Sequence, residues 1–152
     1  MARFTFKLEA VLEQRKNAER QRQRDVATAQ QTLLRLQAEI DAIAAVSRTS
    51  AAELRSGRLS PAALAAHQRF ILSMRHKSAT LKQRHRDTER ELHDAQAALT
   101  EAAKQRKVME KLREREHAKW ADQQRRRDAQ DADDVARQIQ LAERAAQFDV
   151  RN

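Results

Sequence analysis

The chain has 152 residues, of which 35% are charged and 3% aromatic, and its formal net charge is +9. With no tyrosine, no cysteine, one glycine and one proline, it lacks the bulk for a wide globular core and offers neither disulfide nor thiolate chemistry. Its wealth of Ala, Leu, Glu, Lys, Arg and Gln favours helix, and the scarcity of Gly and Pro counts against disorder, so the composition suits a long coiled-coil-like chain. The start, M-A-R-F-T-F-K-L-E, carries charges at once and has no apolar stretch, unlike a secretory signal. No run approaches the ~20 apolar residues that would span a bilayer.

A first long helix is predicted over residues 5–55. Its apolar residues fall at Val26, Ala29, Leu33, Leu36, Ile40 and Ile43, in steps of 3 and 4 that make one heptad seam. Carried back toward the start, the register meets Arg15, Glu19 and Arg22 before Leu12 and Leu8, so part of the seam is polar. Residues 56–60 read as a hairpin loop. Gly57 suits the left-handed position past a helix end. Ser60 suits an N-cap, and Pro61 suits the first helical position, where a missing N–H costs nothing.

A second helix is predicted over 61–147. Its seam runs Leu64, His67, Ile71, Met74, Ser78, Leu81, His85, Thr88, Leu92, Ala95, Leu99, Ala102, Arg106 and Met109. A short loop makes the helices antiparallel neighbours, and with the fold-back near residue 58 or 59, position i faces about 117 − i. The expected fold is all-α, an elongated antiparallel two-helix coiled coil in a single domain. Phe4, Phe6, Leu8, Val11 and Leu12 should gather near Met109 and Leu112. Residues 113–152, with Trp120, should overhang without a partner, leaving Trp120 as a candidate interface residue.

Charge is unevenly spread. Residues 1–24 carry +4 and residues 104–127 carry +6, against +2 for 25–103 and −3 for 128–152. The hairpin brings the first two blocks together as one basic base, opposite a nearly neutral tip.

Nothing in the chain points to catalysis. A single glycine rules out the glycine-rich phosphate loops, and a two-helix rod has no pocket in which catalytic groups converge. The five histidines include no pair four apart that would clip a metal on one helix face. No enzyme activity, cofactor or metal is therefore expected. The run Arg125–Arg127 reads first as a solvated face. No nucleic-acid-binding motif or aromatic stacking platform accompanies it. Phe70 stands one step off the seam near the hairpin, four residues before Met74, as an exposed anchor or a wide seam residue.

The stretch F-x-F-x-L-E-x-V-L-x-x-R, from Phe4 to Arg15, resembles the N-terminus of the flagellar export protein FliJ family. K-V-M-E-K-L-R-E-R-E-H-A-K-W, from Lys107 to Trp120, is similar to the family's second signature. R-R-R-D-A-Q-D-A-D-D-V-A resembles its acidic end, and H-Q-R-F-I-L-S-M resembles its central Q-x-F-I-x-x-L segment. The resemblance implies a non-enzymatic stalk of the flagellar type III export apparatus. The end carrying the termini would enter the hexameric export ATPase and promote its assembly and activity. The hairpin end would contact the cytoplasmic domain of the large export-gate membrane protein.

By that resemblance the gate contacts map to Phe70 and Met74. The family's next two contacts fall on Lys77 and Leu81, which do not match. The cations Arg15, Arg20, Arg22, Lys107, Lys111, Arg113 and Arg115 are the candidates for the ATPase ring. The protein would be a cytoplasmic monomer, peripheral at the inner-membrane base of the flagellum, with export chaperones as further partners and no specific nucleic acid. The alternatives are the equivalent stalk of a virulence injectisome, a basic coiled coil bound to nucleic acid or ribosomes, a membrane-surface helix and a homo-oligomeric coiled coil.

Overall fold

The computed structural model describes residues 3–55, 57 and 60–149, with side chains as far as residue 144. Among these residues there are two helices, α1 (Glu9–Arg55) and α2 (Pro61–Asp149), and no strand. The fold is all-α, an antiparallel helical hairpin, as the two heptad seams predict. Its contacts divide into two units: a hairpin unit, Arg15–Lys104, and a terminal unit, Met1–Gln14 with Gln105–Asn152.

In the hairpin unit the seam is the core. Every seam position of α1 from Val26 to Leu54, including Ser47 and Ser50, is buried or half-buried, and so is every seam position of α2 from His67 to Ala102. Leu36 and Ile43 are the buried apolar side chains of this unit among the described residues. The polar seam positions are satisfied locally: buried Thr88 donates from Oγ1 to the Arg84 carbonyl at 2.9 Å. Ser50 and His67 share a hydrogen bond, with Oγ 3.1 Å from Nδ1. These two residues sum to 117, so that one bond places the register where the seams do. Leu64, predicted on the seam, is exposed.

The turn is built from local chemistry. Gly57 has φ +71°, in the left-handed region that costs other residues a clash between Cβ and backbone. Its N–H donates to the Leu54 carbonyl at 3.4 Å. Ser60 caps α2, its Oγ accepting from the Ala63 N–H at 3.2 Å, and Pro61 is the first helical residue. Ser56, Arg58 and Leu59 of the expected loop lie outside the described residues. A Cβ added at Gly57 would meet no atom within 4 Å, so Gly57→Ala should cost only the backbone term, about 1–2 kcal/mol. A urea titration followed by circular dichroism checks this, and a loss near zero would mean the turn does not hold its left-handed geometry.

The polar seam positions give a second test. Arg15 and Arg22 are exposed and Glu19 half-buried, where a continuous seam would bury leucine. Arg15→Leu, Glu19→Leu and Arg22→Leu together should raise the thermal midpoint by about 2–4 °C, chiefly through the half-buried position 19, where a leucine adds about 1 kcal/mol. An unchanged midpoint would place these three off the seam.

The terminal unit departs from the predicted form. α1 begins at Glu9 and not at residue 5. Residues 3–6 carry no regular structure, and the first contacts run from the Glu9 N–H to the Phe6 carbonyl at 3.2 Å and from the Leu12 N–H to the Leu8 carbonyl at 3.0 Å. The alternation F-T-F explains this: Phe6 is buried while Thr5 and Lys7 face solvent, a period-2 pattern that a helix would scramble. Non-helical chain also reaches about twice as far per residue as helix. Phe4 therefore passes Met109 and Leu112 and packs on His117 and Trp120, with ring centroids 5.0 and 5.8 Å away.

The expected overhang from residue 113 is corrected accordingly. Arg113 pairs with Glu9, Nε to Oε2, at 3.1 Å. Trp120, predicted to have no partner, is half-buried against Phe4. Exposure becomes continuous only at Arg125, from which every residue to Arg144 is exposed.

Candidate functional site

The terminal unit presents a cationic surface. Phe6 and Leu12 are buried there, Leu12 to 1% exposure, and Phe4 packs on His117 and Trp120 of α2. Beside them lies an open groove of about 680 Å³ lined by Phe4, Glu110, Arg113, Glu114 and His117. Its charges are largely answered, Arg113 by Glu9 and Glu110 by Arg106. Outside it, Lys107, Lys111 and Arg115 are exposed and hold no ion pair among the described residues. Such a surface can steer and seat an acidic partner. Among the described residues no group of three His, Cys, Asp or Glu could hold a metal.

The cations assigned to a single ring contact do not fall in one unit. Lys107, Lys111, Arg113 and Arg115 belong to the terminal unit, whereas Arg15, Arg20 and Arg22 belong to the hairpin unit. Arg20 donates to Asn17 Oδ1 at 3.1 Å, and Arg22 lies 3.4 Å from Asp25.

In the hairpin unit Phe70 and Met74 line different grooves. Met74 sits with Ile43, Ala44, Ser47 and Ser78, rimmed by Arg75 and Lys82. Phe70 lies with Val46, Thr49 and Glu53 of α1. Val46 escaped the sequence reading, although it precedes seam residue Ser47 as Phe70 precedes Ile71. Positions flanking the seam in this way meet across an antiparallel pair.

The nearly neutral tip is also corrected. Residues 42–82, which the hairpin folds together, hold seven Lys or Arg and one acidic residue, Glu53, for a net +6. Residues 25–41 and 83–103 carry −2 each, and averaging over the whole stretch hid the basic end.

Among the described residues no helix is long and apolar enough to cross a membrane. The family model of the flagellar FliJ protein matches residues 4–145. The chain belongs to the FliJ family. The match takes in Phe4 and Trp120 of the terminal unit together with the whole hairpin unit. As a FliJ-family member the protein is a component of the flagellar export apparatus. No curated protein and no solved structure matches the chain.

Proposed function

We propose that this FliJ-family protein is a non-enzymatic stalk of the flagellar type III export apparatus. It binds the hexameric export ATPase through the basic surface of its terminal unit, and the cytoplasmic domain of the large export-gate protein through its hairpin unit. The observation that carries the reading is the family match over residues 4–145. The exposed cations Lys107, Lys111 and Arg115 support the ATPase half of it. Phe70, exposed near the hairpin turn, supports the gate half. Arg15, Arg20 and Arg22 are the further cations of this proposed contact.

The mechanism is positional. Long-range attraction brings the basic surface to an acidic ring mouth and makes the encounter salt-sensitive. The bound stalk then favours assembly and activity of the ring without taking part in hydrolysis. The protein acts in the cytoplasm as a monomer, peripheral at the inner-membrane base of the flagellum. ATP hydrolysis by the cognate export ATPase, measured with and without the protein at two salt concentrations, tests this. Stimulation that weakens with salt supports it, and no stimulation at either concentration sinks the ATPase role.

A further inference from the structure

Val46 and Phe70 form an apolar spot to which both helices contribute. They line a groove of about 350 Å³ with Ala45, Thr49, Ser50 and Glu53. Val46 is 44% and Phe70 41% exposed, so each has apolar area still in water that a partner could cover. Glu53 is the one acidic residue of residues 42–82, against seven Lys or Arg. Arg48, Arg69, Arg75, Lys77 and Lys82 are exposed and hold no ion pair among the described residues. Residues 42–82 together carry net +6, and an acidic partner is favoured by that excess.

The chemistry selects among occupants. Nucleic acid would use the cations but finds one ring and no stacking platform. An anionic bilayer would take apolar side chains that protrude from one helix face, whereas Val46 and Phe70 flank a groove between two helices. The arrangement fits a protein surface that is acidic and carries a projecting apolar side chain.

We propose that the hairpin-end docking surface is built by Val46 of α1 together with Phe70 of α2, and that it takes an acidic protein surface seating an apolar side chain between them. This rests on the reading in which the hairpin unit binds the export-gate cytoplasmic domain, and it supplies the chemistry of that contact.

The test is binding of the full-length protein to the purified gate cytoplasmic domain, by calorimetry at low and high salt, with helix content checked for each variant. Val46→Ala should weaken binding roughly fivefold, the worth of about 1 kcal/mol of lost apolar contact. Phe70→Ala should weaken it about thirtyfold, as a central aromatic anchor does, and the double variant should lose less than the product because the two share one groove. Arg69→Glu with Lys77→Glu, beside Phe70 and one heptad beyond it, should weaken binding about tenfold and flatten its salt dependence. Leu34→Ala, at a site 73% exposed, serves as the unaffected control.

If Val46→Ala binds like the parent while Phe70→Ala fails, the two-helix surface is overturned and the gate reading stands. If charge reversal leaves affinity and salt dependence unchanged, the acidic partner is overturned. Absence of any binding by the parent protein overturns the gate reading and this inference together.

Discussion

Converting Lys107, Lys111 and Arg115 to glutamate is expected to remove stimulation of the export ATPase, returning hydrolysis to the level of the ATPase alone. The three side chains are exposed on the terminal unit and hold no ion pair among the described residues. Their replacement therefore removes a surface field and not a structural contact, and surface changes of this kind stay within about 0.5 kcal/mol each. Arg113 is spared deliberately, because its pairing with Glu9 at 3.1 Å ties the start of α1 to α2. The swing is six charge units, applied where the reading places an acidic ring mouth. At physiological ionic strength the screening length is about 8 Å, so charges on the approaching face dominate the encounter. The parent's stimulation should fall as salt rises, and the triple variant should show no such slope. A triple variant that stimulates as well as the parent, with its helix content intact, would remove this face from the ATPase contact.

Leu12→Ala should be the most damaging single truncation. Leu12 is the one large side chain below 2% exposure among the described residues, and burial of that completeness carries both a transfer and a cavity cost. The expected loss is about 2–3 kcal/mol, at the lower end for buried leucines because a core one residue deep can partly collapse into the gap. Leu34→Ala, the same change at a 73% exposed site, should cost under about 0.5 kcal/mol. Urea unfolding followed by circular dichroism separates the two. Equal midpoints would mean that Leu12 does not pack as described.

The hairpin itself was legible because heptad spacing is a strong signal when glycine and proline mark a single break. Ser50 and His67 show how far that signal reaches: the apolar seam of the first helix ends at Ile43, yet the 117 − i relation carried on to Ser50 meets His67, and a hydrogen bond joins them. The N-terminal segment was harder to read. Its F-T-F alternation is too short to outvote the helical register beyond it, so Phe4 was expected near Met109 and not at His117 and Trp120. Once residues 3–6 leave the helix, the apparent overhang of Trp120 disappears. The basic hairpin end was hidden by scale, since its +6 is offset by acidic flanks that only the folded hairpin sets apart. Val46 went unnoticed for a different reason. Exposed valines are common on helices, and its significance lies in what stands opposite.

Two contacts between distant stretches of the chain, Ser50 with His67 and Phe4 with His117, lie 17 and 113 residues apart. For a flexible chain the second closure is dearer than the first by about 1.7 kcal/mol. Zippering outward from the Gly57 turn removes that penalty, because each seam pair formed shortens the loop left for the next. The turn is thus the natural nucleus, and the aromatic cluster at the termini is the natural last step. The contacts that gather Phe4 onto His117 are then the ones with the most chain to close.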